Sequence, residues 1–316
     1  MLRLTVALVA MLVIAEFVLR FKYGLGDPPL VRFDPKMEYI QQPNQTLRRF
    51  NNYIHYNAYS MRADDFPPTK SSPDELRIFA IGDSVINGGV QTDQADLATS
   101  IIQRELSAKL NRKVIVGNAS ASSWGPGNEL EYMKQYPDLL QADILLIVMS
   151  SHDVVDVPTF EPVVNVALDM PDHKPLCALS ELVMRYIVPR VKAKMSGGTV
   201  WPAQTPQAPD NPDVIRSLAE LREMIEMGRA AGARVIVAQA VEHREANGHL
   251  QPGHDMIRDV ATAAGAEIVD FAAAFDAELN AGRDPWRDQF YHPNSHGQRI
   301  MANVLIPVLE NGEKKE

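Results

Sequence analysis

Four short polar clusters hold residue types that work together in nucleophilic acyl chemistry. Gly82, Asp83 and Ser84 place a serine hydroxyl on a turn that Gly82 allows to be sharp, with backbone N–H groups behind the serine able to face a negative oxygen. The stretch from Asn118 to Gly127 (NASASSWGPG) is a loop of small residues suited to close backbone approach. Ser150, Ser151, His152 and Asp153 offer an imidazole that can act as a base or donate to an oxyanion. From Asp288 to Gly297 (DQFYHPNSHG), a carboxylate precedes His292, an arrangement that fixes a ring tautomer and stabilises the charged ring. Each cluster alone has a plainer reading: Ser84 as a helix cap, the small-residue loop as a connection, His152 as a satisfied structural histidine. Together they supply a nucleophile in Ser84, a general base in His292, an orienting acid in Asp288 and oxyanion donors.

These clusters must be positioned by the elements around them. Residues 77–82 (RIFAIG), 113–117 (KVIVG), 143–149 (DILLIVM), 234–238 (RVIVA) and 267–269 are short apolar runs that predict five strands. Helical spacing marks residues 97–110, then Val214, Leu218, Leu221 and Ile225, then residues 256–264, then Ile300, Met301, Val304, Leu305 and Val308. Strands alternating with helices, joined by right-handed crossovers, predict an α/β doubly wound three-layer sandwich with a five-stranded parallel sheet. Such sheets bind ligands outside the carboxyl ends of their strands, which is where Ser84, Ser120 and His152 fall.

Composition narrows the possibilities further. Of 316 residues, 46% are apolar and 22% charged, which excludes a wholly disordered chain and a multi-span membrane protein. Lys and Arg number 31 against 40 Asp and Glu, a net charge of −9 that disfavours nucleic acid as a partner. Cys177 is the single cysteine, so neither an intramolecular disulfide nor a cysteine-based metal site can form.

Residues 4–19 (LTVALVAMLVIAEFVL) are apolar except for Thr5 and Glu16, with Arg3 before them and Arg20 and Lys22 after. The stretch is short for a spanning helix, and a buried core helix or a removable signal peptide are the rival readings. No small-x-small cleavage site follows it, and its place at the extreme terminus favours an uncleaved signal-anchor over residues 1–22. The protein is then a single-pass protein of the inner membrane with its body on the periplasmic side. Residues 23–75 read as a polar arm, with a hairpin within 51–61 and a linker at 67–73. The main domain runs over 76–312. Residues 155–212 interrupt it with nine of the 22 prolines, a helix over 179–191 and a flexible stretch at 196–212. A surface loop and a lid or partner-docking element both remain open for this insertion.

Two motifs, FAIGDS at 79–84 and HPNSHG at 292–297, make the sequence resemble the SGNH/GDSL hydrolase superfamily over about residues 76–310. The resemblance implies a flavodoxin-like fold and a serine-dependent esterase working through an acyl-enzyme, with Ser84 as nucleophile and His292 as base. It also implies an oxyanion hole of three donors: the Ser84 N–H, a glycine N–H after the second strand and an asparagine amide in G-x-N-D. Here the glycine position reads Ser120, the asparagine reads His152, and the family's acid, three residues before the histidine, is Gln289, with Asp288 one residue further back. A neutral His152 ring could still donate, with a charge state that depends on pH near neutrality. The N-terminal arrangement is similar to that of anchored bacterial members found near polysaccharide assembly systems.

The resemblance leaves three functions open. One is hydrolysis of an acyl ester, with an O-acetyl group of an envelope or exported carbohydrate as the substrate class. Another is O-acyl transfer, with a sugar hydroxyl in place of water. The third is a non-catalytic scaffold binding carbohydrate or a partner, which the three departures motivate. The chemistry calls for no cofactor and no metal. His243, His249 and His254 have a spacing that fits no defined zinc site, the sequons at Asn44 and Asn118 carry little weight, and Trp124 and Trp286 either pack or stack on a sugar.

Overall fold

A computed structural model describes residues 1–196 and 206–312; most of the stretch read as flexible, 197–205, lies outside them. The apolar N-terminal run extends at both ends into α1 (Leu2–Tyr23), 22 residues long and with no residue buried against the rest of the chain. At 1.5 Å per residue this helix is about 33 Å long, enough to cross a bilayer. It stops at Gly24, whose left-handed φ of 69° suits a glycine and whose N–H returns to the Arg20 carbonyl.

Residues 23–75, read as an arm and linker, are built into the domain. Strand β1 (Val31–Asp34) pairs antiparallel with β2 (Glu38–Gln41), and β3 (Gln45–Arg49) with β4 (Asn52–Tyr56). The hairpin expected within 51–61 therefore begins upstream, with its turn at Phe50 and Asn51, both at positive φ. Met37, Tyr39 and Met61 lie in the same buried cluster as Phe79, Ile81 and Trp124. Trp124 Nε1 donates to the Tyr39 carbonyl at 3.0 Å, and Asn128 Nδ2 to the Met37 carbonyl at 3.0 Å. The Arg77 guanidinium gathers the carbonyls of Pro67, Pro68 and Thr69, so the proline-rich linker serves as an acceptor set for a buried cation.

From β5 (Leu76–Gly82) the chain runs through α2 (Ser84–Asn87), α3 (Ala98–Leu110), β6 (Val114–Ser120), α4 (Pro126–Met133) and β7 (Ile144–Met149). The insertion supplies α5 (Ala178–Glu181) and α6 (Val188–Ser196), joined by a π-helical turn at Leu182–Ile187. Then come α7 (Pro212–Ala230), β8 (Arg234–Gln239), α8 (Pro252–Ala263), β9 (Glu267–Asp270), α9 (Ala272–Asn280) and α10 (Ser295–Gly312). The five expected strands are present and form one parallel sheet in the order β6-β5-β7-β8-β9.

Strands β5, β6 and β7 are buried along their whole length because helices cover both faces. Phe79, Ile81, Leu145 and Ile147 point into the core shared with α4, α7 and α8, while Ile78, Ala80, Leu146 and Val148 point into the core shared with α3 and α10. Because β6 and β7 flank β5 on opposite sides, the winding reverses there, and the crevice at the carboxyl ends of β5 and β7 is the topological switch point.

The insertion folds along the arm and α1. Val31 N–H donates to the Pro171 carbonyl at 2.8 Å, and Glu38 accepts from Thr159 Oγ1 and Phe160 N–H. Glu16, the acidic residue inside the apolar helix, accepts the N–H groups of Ala178 and Leu179 at 2.9 Å each and pairs with Arg20. Glu181 in turn pairs with Arg49, both buried, and accepts the Gly26 N–H.

Candidate active site

Strand β5 ends in Gly82, where an added Cβ would lie 2.8 Å from the Val148 carbonyl oxygen of the neighbouring strand. Only glycine lets β5 and β7 approach this closely at the point where the chain turns to Ser84. Gly82→Ala is accordingly expected to destabilise the fold by about 1–3 kcal/mol, seen as a lowered Tm. Asp83 caps the following turn, its Oδ1 accepting Val85 N–H at 2.8 Å, and Ser84 is the first residue of α2.

The sequence elements 208 residues apart meet at this point. His292 Nε2 lies 3.1 Å from Ser84 Oγ, and His292 Nδ1 lies 2.6 Å from Asp288 Oδ2. With the Nδ1 proton directed at the carboxylate, Nε2 carries the lone pair that faces the serine hydroxyl. The spacing of four residues is absorbed by a turn wrapped around the acid: Asp288 Oδ1 accepts Phe290 N–H at 3.0 Å and His292 N–H at 3.4 Å, leaving Oδ2 for the ring. Burial would raise the Asp288 carboxyl, but His292 and these backbone donors hold it below the usual carboxylate range. Burial, and after it the Arg287 cation, hold His292 below the ordinary imidazole range despite Asp288.

Ser120 and His152 stand differently from their expected places. Ser120 is the last residue of β6; its Oγ donates to Asn118 Oδ1 at 2.7 Å, and its carbonyl accepts Asn87 Nδ2 at 2.9 Å. The glycine-like conformation of the following loop belongs instead to Ser123, at φ 54°. His152 aims both ring nitrogens at carboxylates. Nε2 is 3.2 Å from Asp153 Oδ1, 3.5 Å from Asp83 Oδ2 and 3.9 Å from Asp156 Oδ2, and Nδ1 is 3.3 Å from Glu242 Oε1. These are ion-pair separations without aligned hydrogen bonds. Burial opposes charge on the ring, but Asp153, then Asp83, Glu242 and Asp156, outweigh it and hold the imidazolium well above the ordinary range. The neutral donor that titrates near neutrality is therefore replaced by a charged ring turned toward an acidic cluster.

Much of that cluster was not legible in the sequence. Asp156 and Glu242 are contributed by the loops after β7 and β8, and burial pushes Asp156 up to about 6. Glu129 on α4 is completely buried, with neither carboxylate oxygen partnered, and burial followed by Asp153 and Asp83 pushes it well above its usual range. Tyr291 stacks on His152 with ring centroids 4.1 Å apart. The remaining candidates are structural. His254 is buried against Asp270 at 2.9 Å, His243 packs edge-on to Trp286, and Trp124 and Trp286 are buried, each donating Nε1 to a backbone carbonyl.

The chain is similar to known proteins at the level of family and fold. Residues 80–300 match the GDSL-like lipase/acylhydrolase family. Among solved structures the chain is similar to LAE5, an alpha/beta hydrolase enzyme from the metagenome of Lake Arreo, Spain, at 15% identity and TM-score 0.48, covering 74% of this chain and 95% of that one. It is also similar to the psychrotrophic esterase EstA from Pseudoalteromonas sp. (12% identity, TM-score 0.45, 76% and 99% covered) and to Axe2, an acetylxylan esterase from Geobacillus stearothermophilus (14%, 0.44, 73% and 93%). At these scores the three structures do not bear on what this chain acts upon, and no curated protein matches it. The family match spans more than two thirds of the chain, so the protein belongs to the GDSL-like lipase/acylhydrolase family and is an enzyme of the serine carboxylic ester hydrolase type.

Proposed function

We propose that this protein hydrolyses small acyl esters, O-acetyl groups on an envelope or exported carbohydrate, through an acyl-enzyme on Ser84. The observation that carries the reading is the contact chain from Ser84 Oγ through the His292 ring to Asp288, at 3.1 and 2.6 Å. Ser84 Oγ attacks the ester carbonyl carbon while its proton passes to His292 Nε2. The tetrahedral intermediate collapses, and the leaving sugar oxygen takes that proton. Water then attacks the acyl carbon, gives its proton to His292, and the acid leaves as Ser84 recovers the proton. Asp288 stabilises the charged ring in both halves. The Ser84 N–H and backbone N–H groups of the 120–123 loop receive the oxyanion.

A small acyl group suits the surroundings of the nucleophile, where Asp83, His152, Asp156, Arg287 and His292 present polar or charged side chains. A long alkyl chain would desolvate these groups without compensation. α1 then spans the inner membrane and holds the domain on the extracytoplasmic face, where carbohydrate esters are presented. The full-length protein in detergent is expected to release acetate from acetylated oligosaccharides and to prefer p-nitrophenyl acetate over p-nitrophenyl decanoate by about tenfold or more. A preference for the decanoate with no acetate released from sugars would refute the small-acyl reading.

The pH dependence follows from the base. Neutral His292 is the active form, and its folded-state pKa lies below the ordinary imidazole value of about 6.5, so activity is present above that pKa and lost as pH falls through it. The acid limb of kcat/KM is expected below pH 6.5, and Arg287→Gln is expected to move it upward by removing a neighbouring cation. A wild-type limb above 6.5, or one that Arg287→Gln leaves in place, would assign the titration to another group.

A further inference from the structure

Ester hydrolysis leaves the acidic cluster beside the nucleophile without a task. Two of its carboxylates are oriented by the backbone: Asp83 Oδ1 accepts Val85 N–H at 2.8 Å, and Asp153 Oδ2 accepts Ser150 N–H at 2.7 Å. Their other oxygens, Asp83 Oδ2 and Asp153 Oδ1, converge on His152 Nε2 at 3.5 and 3.2 Å, and the three ligand atoms lie within 4.8 Å of one another. All three side chains are buried, and His152 Nε2 and Asp153 Oδ1 have no aligned hydrogen bond. Something positive must lie between the ring nitrogen and the two carboxylate oxygens, and the ring's own proton meets neither of them in an aligned hydrogen bond, which leaves room for a cation in its place.

The separations fit a metal ion in that place. Bonds of ~2.0–2.2 Å to a tetrahedral cation set neighbouring ligand atoms about 3.3–3.6 Å apart. Asp156 Oδ2, 3.9 Å from Nε2 and the most solvent-exposed of the set, is placed to close as a fourth ligand. The far side of the ring has the support that metal-binding histidines use, since Nδ1 faces Glu242 Oε1 at 3.3 Å. Glu242 is itself held by Ser151 Oγ at 2.8 Å and Arg244 Nε at 2.6 Å. We propose that Asp83, His152 and Asp153, with Asp156 completing the shell, bind a divalent transition-metal cation of the Zn²⁺ class. One imidazole among carboxylates favours such an ion over Ca²⁺ or Mg²⁺, which take oxygen shells. Binding displaces a proton from Nε2 to solvent.

The site has a consequence for Ser84 that rests on the proposed ester chemistry. Asp83 Oδ2, 3.3 Å from Ser84 Oγ, competes with His292 for the hydroxyl proton. Engaged by a cation, that oxygen is a weaker acceptor, and the proton is left to His292. The cation also puts positive charge at the position where the resemblance supplies an asparagine amide.

The test uses the full-length protein in detergent, stripped with a chelator and titrated with Zn²⁺. Native mass spectrometry is expected to show one equivalent per chain, and Co²⁺ in its place is expected to give the intense visible absorption of a tetrahedral site. Asp153→Asn and His152→Gln are expected to weaken Zn²⁺ binding by about 100-fold or more, and Glu242→Gln by about 10- to 100-fold. His296→Gln and Ser84→Ala are expected to keep wild-type uptake. Because Ser84→Ala removes the nucleophile and keeps the ligands, uptake and ester hydrolysis fail separately. No uptake at micromolar Zn²⁺, or uptake that survives both ligand substitutions, overturns the proposal. Where a variant does not fold, the wild-type Co²⁺ spectrum decides, and a weak octahedral spectrum overturns it.

Discussion

Ser84→Ala is expected to lower ester turnover by about 10⁴- to 10⁶-fold, because nucleophile and base act as one unit. His292→Ala should lose nearly as much, and the double variant little more than either single one. Two readouts check this. Steady-state hydrolysis of p-nitrophenyl acetate gives the rate. Intact mass after treatment with a fluorophosphonate should show one adduct per chain in the wild type and none in either variant. The 3.1 Å contact between Ser84 Oγ and His292 Nε2 is the physical ground, since an unactivated serine reacts too slowly to label. Full labelling of His292→Ala would show that another group activates the serine. Absent labelling of folded wild type would favour the scaffold function.

The second large effect is expected at the acid. Asp288→Asn should cost about 10³- to 10⁴-fold in kcat, because an amide can offer its NH₂ to Nδ1 and favour the wrong ring tautomer. Gln289→Ala should change the rate by less than about twofold, although Gln289 occupies the position that the family motif gives to the acid. The contrast follows from the turn: Asp288 Oδ1 gathers the backbone N–H groups of Phe290 and His292 while Oδ2 reaches the ring at 2.6 Å. Kinetics of the two variants, with Tm measured alongside to exclude unfolding, decide between the positions. Equal losses at both would mean that the 288–292 turn matters as a fold and not through its carboxylate.

The sheet and the two motifs that bring Ser84 and His292 together were readable in the sequence because each is encoded locally. Runs such as residues 144–149 are apolar throughout because both faces of β7 are covered. Ser84 and His292 sit in short motifs whose chemistry depends on little beyond their own turn. The acidic cluster was hidden for the opposite reason. Asp83, Asp153, Glu242 and Glu129 come from four separate elements, and each by itself reads as an ordinary polar residue at a strand end or on a helix. His152 was legible as a base, an oxyanion donor or a structural histidine, and nothing in the sequence showed the carboxylates that surround it. The packing of the arm was not legible because its buried side chains, Met37, Tyr39 and Met61, are too sparse for a periodic signal, and α4 escaped because eight residues span barely two turns.

The bond from Glu16 to the N–H groups of Ala178 and Leu179 turns a tether into a bracket. A chain shortened to begin after Tyr23 loses that cap, at about 0.5–2 kcal/mol, and leaves the Ala178 and Leu179 N–H groups without their carboxylate acceptor, while Cys177 Sγ still accepts Ser180 N–H. The buried Glu181–Arg49 pair then fastens the same helix to β3, so polar contacts link α1, insertion and arm. With α1 seated in a bilayer, a flexible strap would let the catalytic crevice sample every height above the surface. If α1 is the proposed anchor, a bracket would present the crevice at one height and one tilt, and the position of an ester along a surface-bound polymer would become part of what the proposed esterase selects.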